Sequence, residues 1–216
     1  WPARLSVESE IPIGVGMSSS AALCLAVVLG VNGDMDAHEA CKEAQRIEHE
    51  VLKTPCGLLD QMAMMYAKEG CATLIDFSNH STESIELPSS WLFKLVDSGV
   101  HRQLSETYRS SADTETRLAH VESENIRVRS SLRASAPALG ILLNESHASL
   151  QTLGVSLPEV DEQVLKLQQT NGVYGARMMG GGYGGMILVL VESSRVLPEN
   201  PLFFPSQGSI FEEFLE

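Results

Sequence analysis

The sequence predicts an α+β fold, with helices on one side of an antiparallel sheet. Segments of helical spacing and short apolar strand-like runs are mixed along the chain rather than alternating as regular βαβ units. Two of the runs, "ARMM" and "MILVLVE", are joined so tightly by glycines that they can only pair antiparallel. The chain has 216 residues, 44% of them hydrophobic, and mean hydropathy near zero, enough for one large or two small globular domains.

Residues 3–11, "ARLSVESEI", alternate as a strand does. "PIGVGMSSSAA" at 12–22 is a Gly-Ser loop opening a mostly apolar helix over about 18–31, which "NGD" breaks. "MDAHEACKEAQRIEHEVL" puts Ala40, Ala44, Ile47 and Val51 on one face opposite a charged one, and Thr54-Pro55 ends it. "CGLLDQMAMMYAKEG" reads as a third helix closed by Gly70. "CATLIDF" and "LFKLVDSG" read as strands, and 101–124 as a charged helical region. "PALGILLNESHASLQTL" starts a helix at a proline, and "LPEVDEQVLKLQQTNG" is another, with Gly172 as its stop.

The net charge of −13 and the absence of a Lys/Arg cluster argue against a non-specific nucleic-acid binder. No apolar run spans a membrane, because Gly33 and Asp34 cut off the stretch 21–31, and the N-terminus lacks the basic flank of a secretory signal. Cys24, Cys41, Cys56 and Cys71 form no C-x-x-C pair or zinc spacing; reduced, mostly buried thiols in a cytoplasmic protein are expected. The chain opens on Trp-Pro-Ala-Arg without an initiator Met and reads as entered within a domain.

Three constellations carry chemistry. In the first, Gly14 and Gly16 free the backbone to bend around an anion, the following helix N-terminus offers unpaired N–H groups, and Ser18, Ser19 and Ser20 add hydroxyls. No Lys follows the glycines, so this is not the P-loop pattern. The competing reading is an ordinary loop with serine caps. In the second, Glu48 and Asp60 in "QRIEHEVLKTPCGLLDQ" lie on successive helices that the turn at Pro55-Cys56-Gly57 could fold towards one point. A small-molecule kinase needs one carboxylate for Mg²⁺ and one near the acceptor hydroxyl. The competing reading puts both on solvated faces; Asp60 stands out because its neighbours are almost all apolar. In the third, "GARMMGGGYGG", five glycines fall among the six residues 180–185, more than a hairpin needs; a ligand-approaching turn and a tight turn with a bulge remain equal readings. His147 is read as a helix-face histidine with a structural hydrogen bond in preference to a ligand or base.

In this order and spacing, "PIGVGMSSSAA", "QRIEHEVLKTPCGLLDQ", "CATLIDF", "NESHASL…VSLPEVD" and "GVYGARMMGGGYGG" resemble the sugar kinases of the GHMP superfamily, nearest the galactokinases. The similarity runs from about Leu5 to "PSQG" at 205–208. It implies a GHMP-kinase-like fold with an incomplete N-terminal domain: residues 1–87 as the remainder of the ATP-binding domain, 88–216 as the C-terminal domain. It implies that Gly14, Val15, Gly16, Met17, Ser18, Ser19 and Ser20 wrap the ATP phosphates and that Ser20 and Glu48 hold Mg²⁺. Asp60 would be the catalytic base or orienting carboxylate at the sugar's anomeric hydroxyl, with Gly57 and Tyr108 touching the sugar. Gly180, Gly181 and Gly182 would form the third family motif, packed near the phosphate loop. The implied reaction transfers the ATP γ-phosphate to the C1 hydroxyl of galactose, with ATP and Mg²⁺ as cofactors, in a monomer needing no nucleic acid or membrane.

The chain also departs from the family. The signature close to "GRVNLIGEHTDY", with its arginine and sugar contacts, is not in the sequence; the region around "ETYRSSADTETRLAH" is compressed, and a short "SSRVLPENP" replaces the last helix. Weak or absent turnover by these 216 residues alone is therefore expected. Two alternatives follow: a non-catalytic relative that binds ATP and sugar for regulation, or a kinase for another sugar such as galacturonate, N-acetylgalactosamine or arabinose.

Overall fold

A computed structural model describes residues 4–100, 110 and 112–212. Helices α1 (Ser19–Asn32), α2 (Ala37–Glu50) and α3 (Leu59–Tyr66) come first, then strands β1 (Cys71–Asp76), β2 (Ser81–Glu86) and β3 (Leu92–Asp97). Helices α4 (Thr114–Ser131), α5 (Ala136–Thr152) and α6 (Pro158–Gln168) follow, and β4 (Val173–Met178), β5 (Met186–Val191) and β6 (Leu202–Phe203) close the order. β1 and β2 form an antiparallel pair; the larger sheet runs β4-β5-β3-β6, antiparallel throughout.

The first core is helical. α1 is apolar nearly all round and buries Cys24, Leu25, Val28 and Leu29. Against them α2 presents Ala40 and Ala44, whose small side chains let the two helices approach closely, and Met64 and Met65 of α3 pack alongside. Asp36 starts α2 by accepting from the His38 and Glu39 N–H groups. The second core lies on one face of the larger sheet. There Ile187, Val189 and Val191 of β5 and Ala176 and Met178 of β4 meet Leu150 of α5 and Val160, Val164 and Leu167 of α6.

β4 is an edge strand, and helices cover its edge. Asn144 Oδ1 of α5 accepts from Ala176 N at 2.9 Å, and Gln168 Nε2 of α6 donates to Ala176 O at 3.0 Å. Both backbone groups are thereby satisfied without another strand. The approach of α5 to β4 needs glycine on both sides. A Cβ on Gly140 would stand 2.2 Å from Tyr174 O, and one on Gly175 would stand 2.1 Å from Gly140 O. In β3, buried Lys94 points into the same layer and donates to Ser194 O at 3.0 Å and Leu197 O at 2.8 Å, pinning the segment after β5.

Two sequence expectations are corrected, and one strand is added. Residues 4–10 form no strand and are exposed, because no described strand lies beside them and alternation alone supplies no ladder partner. β2 was not expected: "STESIE" is too polar to read as a strand, yet it pairs along its whole length with β1. α3 stops at Tyr66, with Ala67 extended, so Gly70 (φ 72°) serves the turn into β1 instead of closing the helix. Helix α4 begins at Thr114, where Asp113 accepts from Thr116 N; residues 101–109 of the expected helical region lie outside the described residues. Among the described residues, no single helix is long and apolar enough to cross a membrane.

Gly140→Ala and Gly175→Ala are each expected to lower unfolding stability by about 3 kcal/mol, since the added carbon meets backbone that cannot rotate away. A urea midpoint within error of the unsubstituted chain would contradict this close crossing.

Candidate functional site

The loop before α1 takes left-handed conformations at Gly14 (φ 81°), Gly16 (φ 76°) and Ser18 (φ 55°). Ser18 occupies the N-cap of α1, yet no side chain makes a capping hydrogen bond there. The serine-cap reading is therefore not what the structure shows. The first turn of α1 keeps backbone donors for something else, at the positive end of the helix dipole. Val15 is buried and anchors the loop, while Gly16 is exposed and Met17, Ser18, Ser19 and Ser20 are half-buried.

The glycine-rich turn between β4 and β5 lies directly against this loop. Met186 N donates to Val15 O at 2.9 Å. Gly185 (φ 89°) is the point of closest approach: a Cβ there would stand 2.6 Å from Val15 O. Of the expected motif glycines, Gly180 reaches the loop, its Cβ position 3.9 Å from Gly16 O, and Gly182 faces Val155 instead; Gly181 is exposed. The turn is fixed on its other side by Gly185 N to Val100 O at 2.8 Å and Tyr183 N to Val155 O at 2.8 Å.

Behind the loop stands Glu48 of α2, 2% exposed, so it does not lie on a solvated face. Its Oε1 accepts from Ser20 Oγ at 2.8 Å; its Oε2 accepts from Gln61 Nε2 and, at 3.5 Å, from Cys56 Sγ. Burial first, and then the Glu48 carboxylate, push the Cys56 thiol up to about 11, so it stays a protonated donor at neutral pH. The same two causes raise the Cys24 thiol. The turn carrying Cys56 is tied to α2 through its backbone: Gln45 Nε2 donates to Cys56 O at 3.0 Å, and Cys56 N donates to His49 Nε2 at 3.1 Å. That short tether starts α3 at Leu59 and puts Asp60 in its first turn.

Asp60 is exposed, and its carboxylate carries no hydrogen bond or ion pair among the described residues, leaving it available to a ligand. Gly57 is exposed with open space around it. Tyr108 lies outside the described residues. The structure thus joins the loop, Ser20, Glu48 and the glycine turn; among the described residues no hydrogen bond or ion pair ties Asp60 to them. Gln61, Gly185 and the backbone clamp on Cys56 were not singled out from the sequence. Gln61 had a visible signal, since it and Asp60 are the only polar residues in "CGLLDQMAMM".

Ser20 Oγ and the Glu48 carboxylate are hard oxygen donors side by side at a helix N-terminus, which fits Mg²⁺ shared with phosphate. Among the described residues no cluster of three His, Cys, Asp or Glu side chains could hold a metal, so a cation here would depend on phosphate and water for its remaining ligands. The four cysteines are free, Cys24 and Cys41 buried and Cys56 and Cys71 half-buried. His147 is structural: it is buried in the second core, Met178 N approaches its Nδ1 at 3.5 Å, and its Nε2 stands 3.2 Å from Asp161 Oδ1.

Residues 2–68 match the GHMP kinases N terminal domain and residues 128–198 the GHMP kinases C terminal domain. A galactokinase of Thermotoga maritima is 32% identical over 228 aligned residues, which cover 88% of this chain and 65% of that protein. A galactokinase of Chloroflexus aggregans is 31% identical, covering 90% and 62%. The chain thus spans somewhat less than two thirds of the length of these relatives. In structure it resembles Lactococcus lactis galactokinase complexed with galactose (TM-score 0.77, 23% identity, 93% of this chain and 68% of that one). It also resembles the Methanococcus jannaschii mevalonate kinase (TM-score 0.61, 19% identity, 94% and 67%), which supports the same fold.

Burial is the main reason the His147 imidazole titrates below its usual value, and it outweighs the opposing pull of Asp161. The unfolded chain therefore binds the proton more readily than the folded one. Stability should fall as pH drops through about 6.5 and level off below the folded value. Urea midpoints should be lower at pH 5.5 than at pH 7.5, with a shallower dependence in His147→Gln; the same slope in both proteins would contradict this. Gly185→Ala should separate turn from loop, costing about 1–3 kcal/mol in urea unfolding, because the added methyl meets Val15 O.

Proposed function

The chain belongs to the GHMP kinases, and from that premise we propose that it carries the phosphate-binding and catalytic-carboxylate machinery of a galactokinase, transferring the ATP γ-phosphate to the C1 hydroxyl of galactose. The observation that carries the proposal is the Ser20–Glu48 pair beside an uncapped helix N-terminus, under a loop backed by the glycine turn. In this reading residues 1–87 contribute to the ATP-binding domain and 88–216 form the C-terminal domain. The setting is cytoplasmic, which suits four free thiols.

The loop residues Gly14 to Ser20 present backbone N–H groups, and the α1 dipole adds fixed positive potential where the phosphates would lie. This is why no loop lysine is required. Ser20 Oγ and Glu48 would hold Mg²⁺, which supplies charge neutralisation at the phosphates when bound. Asp60, exposed and without a hydrogen bond or ion pair among the described residues, would accept the proton of the sugar C1 hydroxyl or orient that hydroxyl towards the γ-phosphorus. Gly57 and Tyr108 would contact the sugar, and the turn holding Gly180, Gly181 and Gly182 would lie near the phosphate loop, approaching it at Gly180. Most of the rate enhancement would come from positioning and electrostatics, so single side chains here should matter more than any surface residue.

The test is galactose 1-phosphate formation from Mg·ATP and galactose. Product should appear, even if slowly, and fall to the no-protein background in Asp60→Ala. Product that persists in Asp60→Ala, or no product together with no Mg·ATP binding, would contradict the proposal. Ser20→Ala should keep the fold and weaken Mg·ATP binding by about tenfold, read by calorimetry.

A further inference from the structure

We propose that Gln61 is a positioning residue for Glu48, holding that carboxylate towards Ser20 and the phosphate loop and coupling it to the helix that carries Asp60. The inference rests on the proposed function, because it concerns the same site.

Glu48 is a buried carboxylate that makes no ion pair among the described residues; its partners are a hydroxyl, an amide and a thiol. A lysine or arginine would have compensated its charge and also neutralised it. Neutral donors orient the group and leave its charge available to a cation. The division between its oxygens is specific. Oε1 faces Ser20 Oγ of α1 at 2.8 Å, and Oε2 is engaged by Gln61 Nε2 and Cys56 Sγ. With Oε2 occupied on the α3 side, the carboxylate cannot rotate away from the loop without breaking the Gln61 bond.

Gln61 is fully buried and its own Oε1 has no hydrogen-bond partner among the described residues, so its amide is placed at a cost that a packing residue need not bear. A leucine or methionine would fill the same volume without an orphaned acceptor. Gln61 also follows Asp60 directly on α3. Asp60 points to solvent while Gln61 points to Glu48, so one hydrogen bond fixes the first turn of α3 relative to the carboxylate beneath the loop. The Gln45 and His49 contacts to the Cys56 backbone hold the intervening turn, but neither touches Glu48.

The test compares ATP binding by this chain with and without Mg²⁺, in the unsubstituted protein and in Gln61→Met, which keeps the volume and removes the donor. The expected result is a roughly tenfold rise in the Mg²⁺ concentration for half-saturation, with Mg²⁺-free ATP binding unchanged. A merely structural role would weaken both kinds of binding together, and that result, like an unchanged Mg²⁺ requirement, overturns the inference. If Gln61→Met does not fold, the NMR signals of the Gln61 side-chain amide in the unsubstituted protein decide the matter. They should shift when Mg²⁺ and ATP are added together and stay put with ATP alone; signals indifferent to Mg²⁺ would overturn it. An unsubstituted chain that binds no Mg·ATP at all contradicts the proposed function itself, whereas normal Mg·ATP binding that ignores Gln61 contradicts only this inference.

Discussion

Backbone lying directly on backbone holds the loop before α1 in place. Val15 O accepts from Met186 N, and Gly185 leaves room for the contact because it has no side chain. The loop spends three positive-φ positions on its shape, and left-handed backbone is costly where the residue is serine, as at Ser18. Something outside the loop has to hold that shape. The β4–β5 turn does so from within a sheet whose other contacts, Gly185 to Val100 and Tyr183 to Val155, fix it to the second core. The sheet of the C-terminal half thereby sets the geometry of a helix N-terminus in the other half.

A second chain of contacts runs through polar side chains. Ser20 on α1, Glu48 on α2 and Gln61 on α3 are linked in sequence by hydrogen bonds. The small residues Ala40 and Ala44 bring α1 and α2 close enough for the first link. The short turn clamped at Cys56 brings α3 back for the second. Packing and chemistry therefore depend on the same helix spacing, and a larger residue at Ala44 would disturb both.

Much of this was legible in the sequence, for identifiable reasons. The loop and the turn declare themselves through glycine placement, because the backbone conformations they need exclude most other residues. Helix α2 shows plain amphipathic spacing, and a proline marks where α5 begins. What stayed hidden depends on tertiary partners. Alternation in 3–11 looks like a strand, but no described strand lies beside it, and the polar β2 carries no strand signal of its own and depends on β1. Glu48 and Asp60 have the same chemistry in the sequence, and only packing separates them into a buried and an exposed carboxylate. The glycines that touch the loop, Gly180 and Gly185, cannot be told from their neighbours in a run of five.

The central claim is that the uncapped N-terminus of α1, held by the glycine turn, receives the phosphates of ATP. The direct measurement is the change in backbone amide NMR signals when Mg·ATP is added. The account predicts that the largest changes fall at residues 14–20, with smaller ones at Gly185 and Met186, whose amides report on the contact with Val15. Shifts confined to residues elsewhere, or an unchanged spectrum at millimolar Mg·ATP, would contradict it.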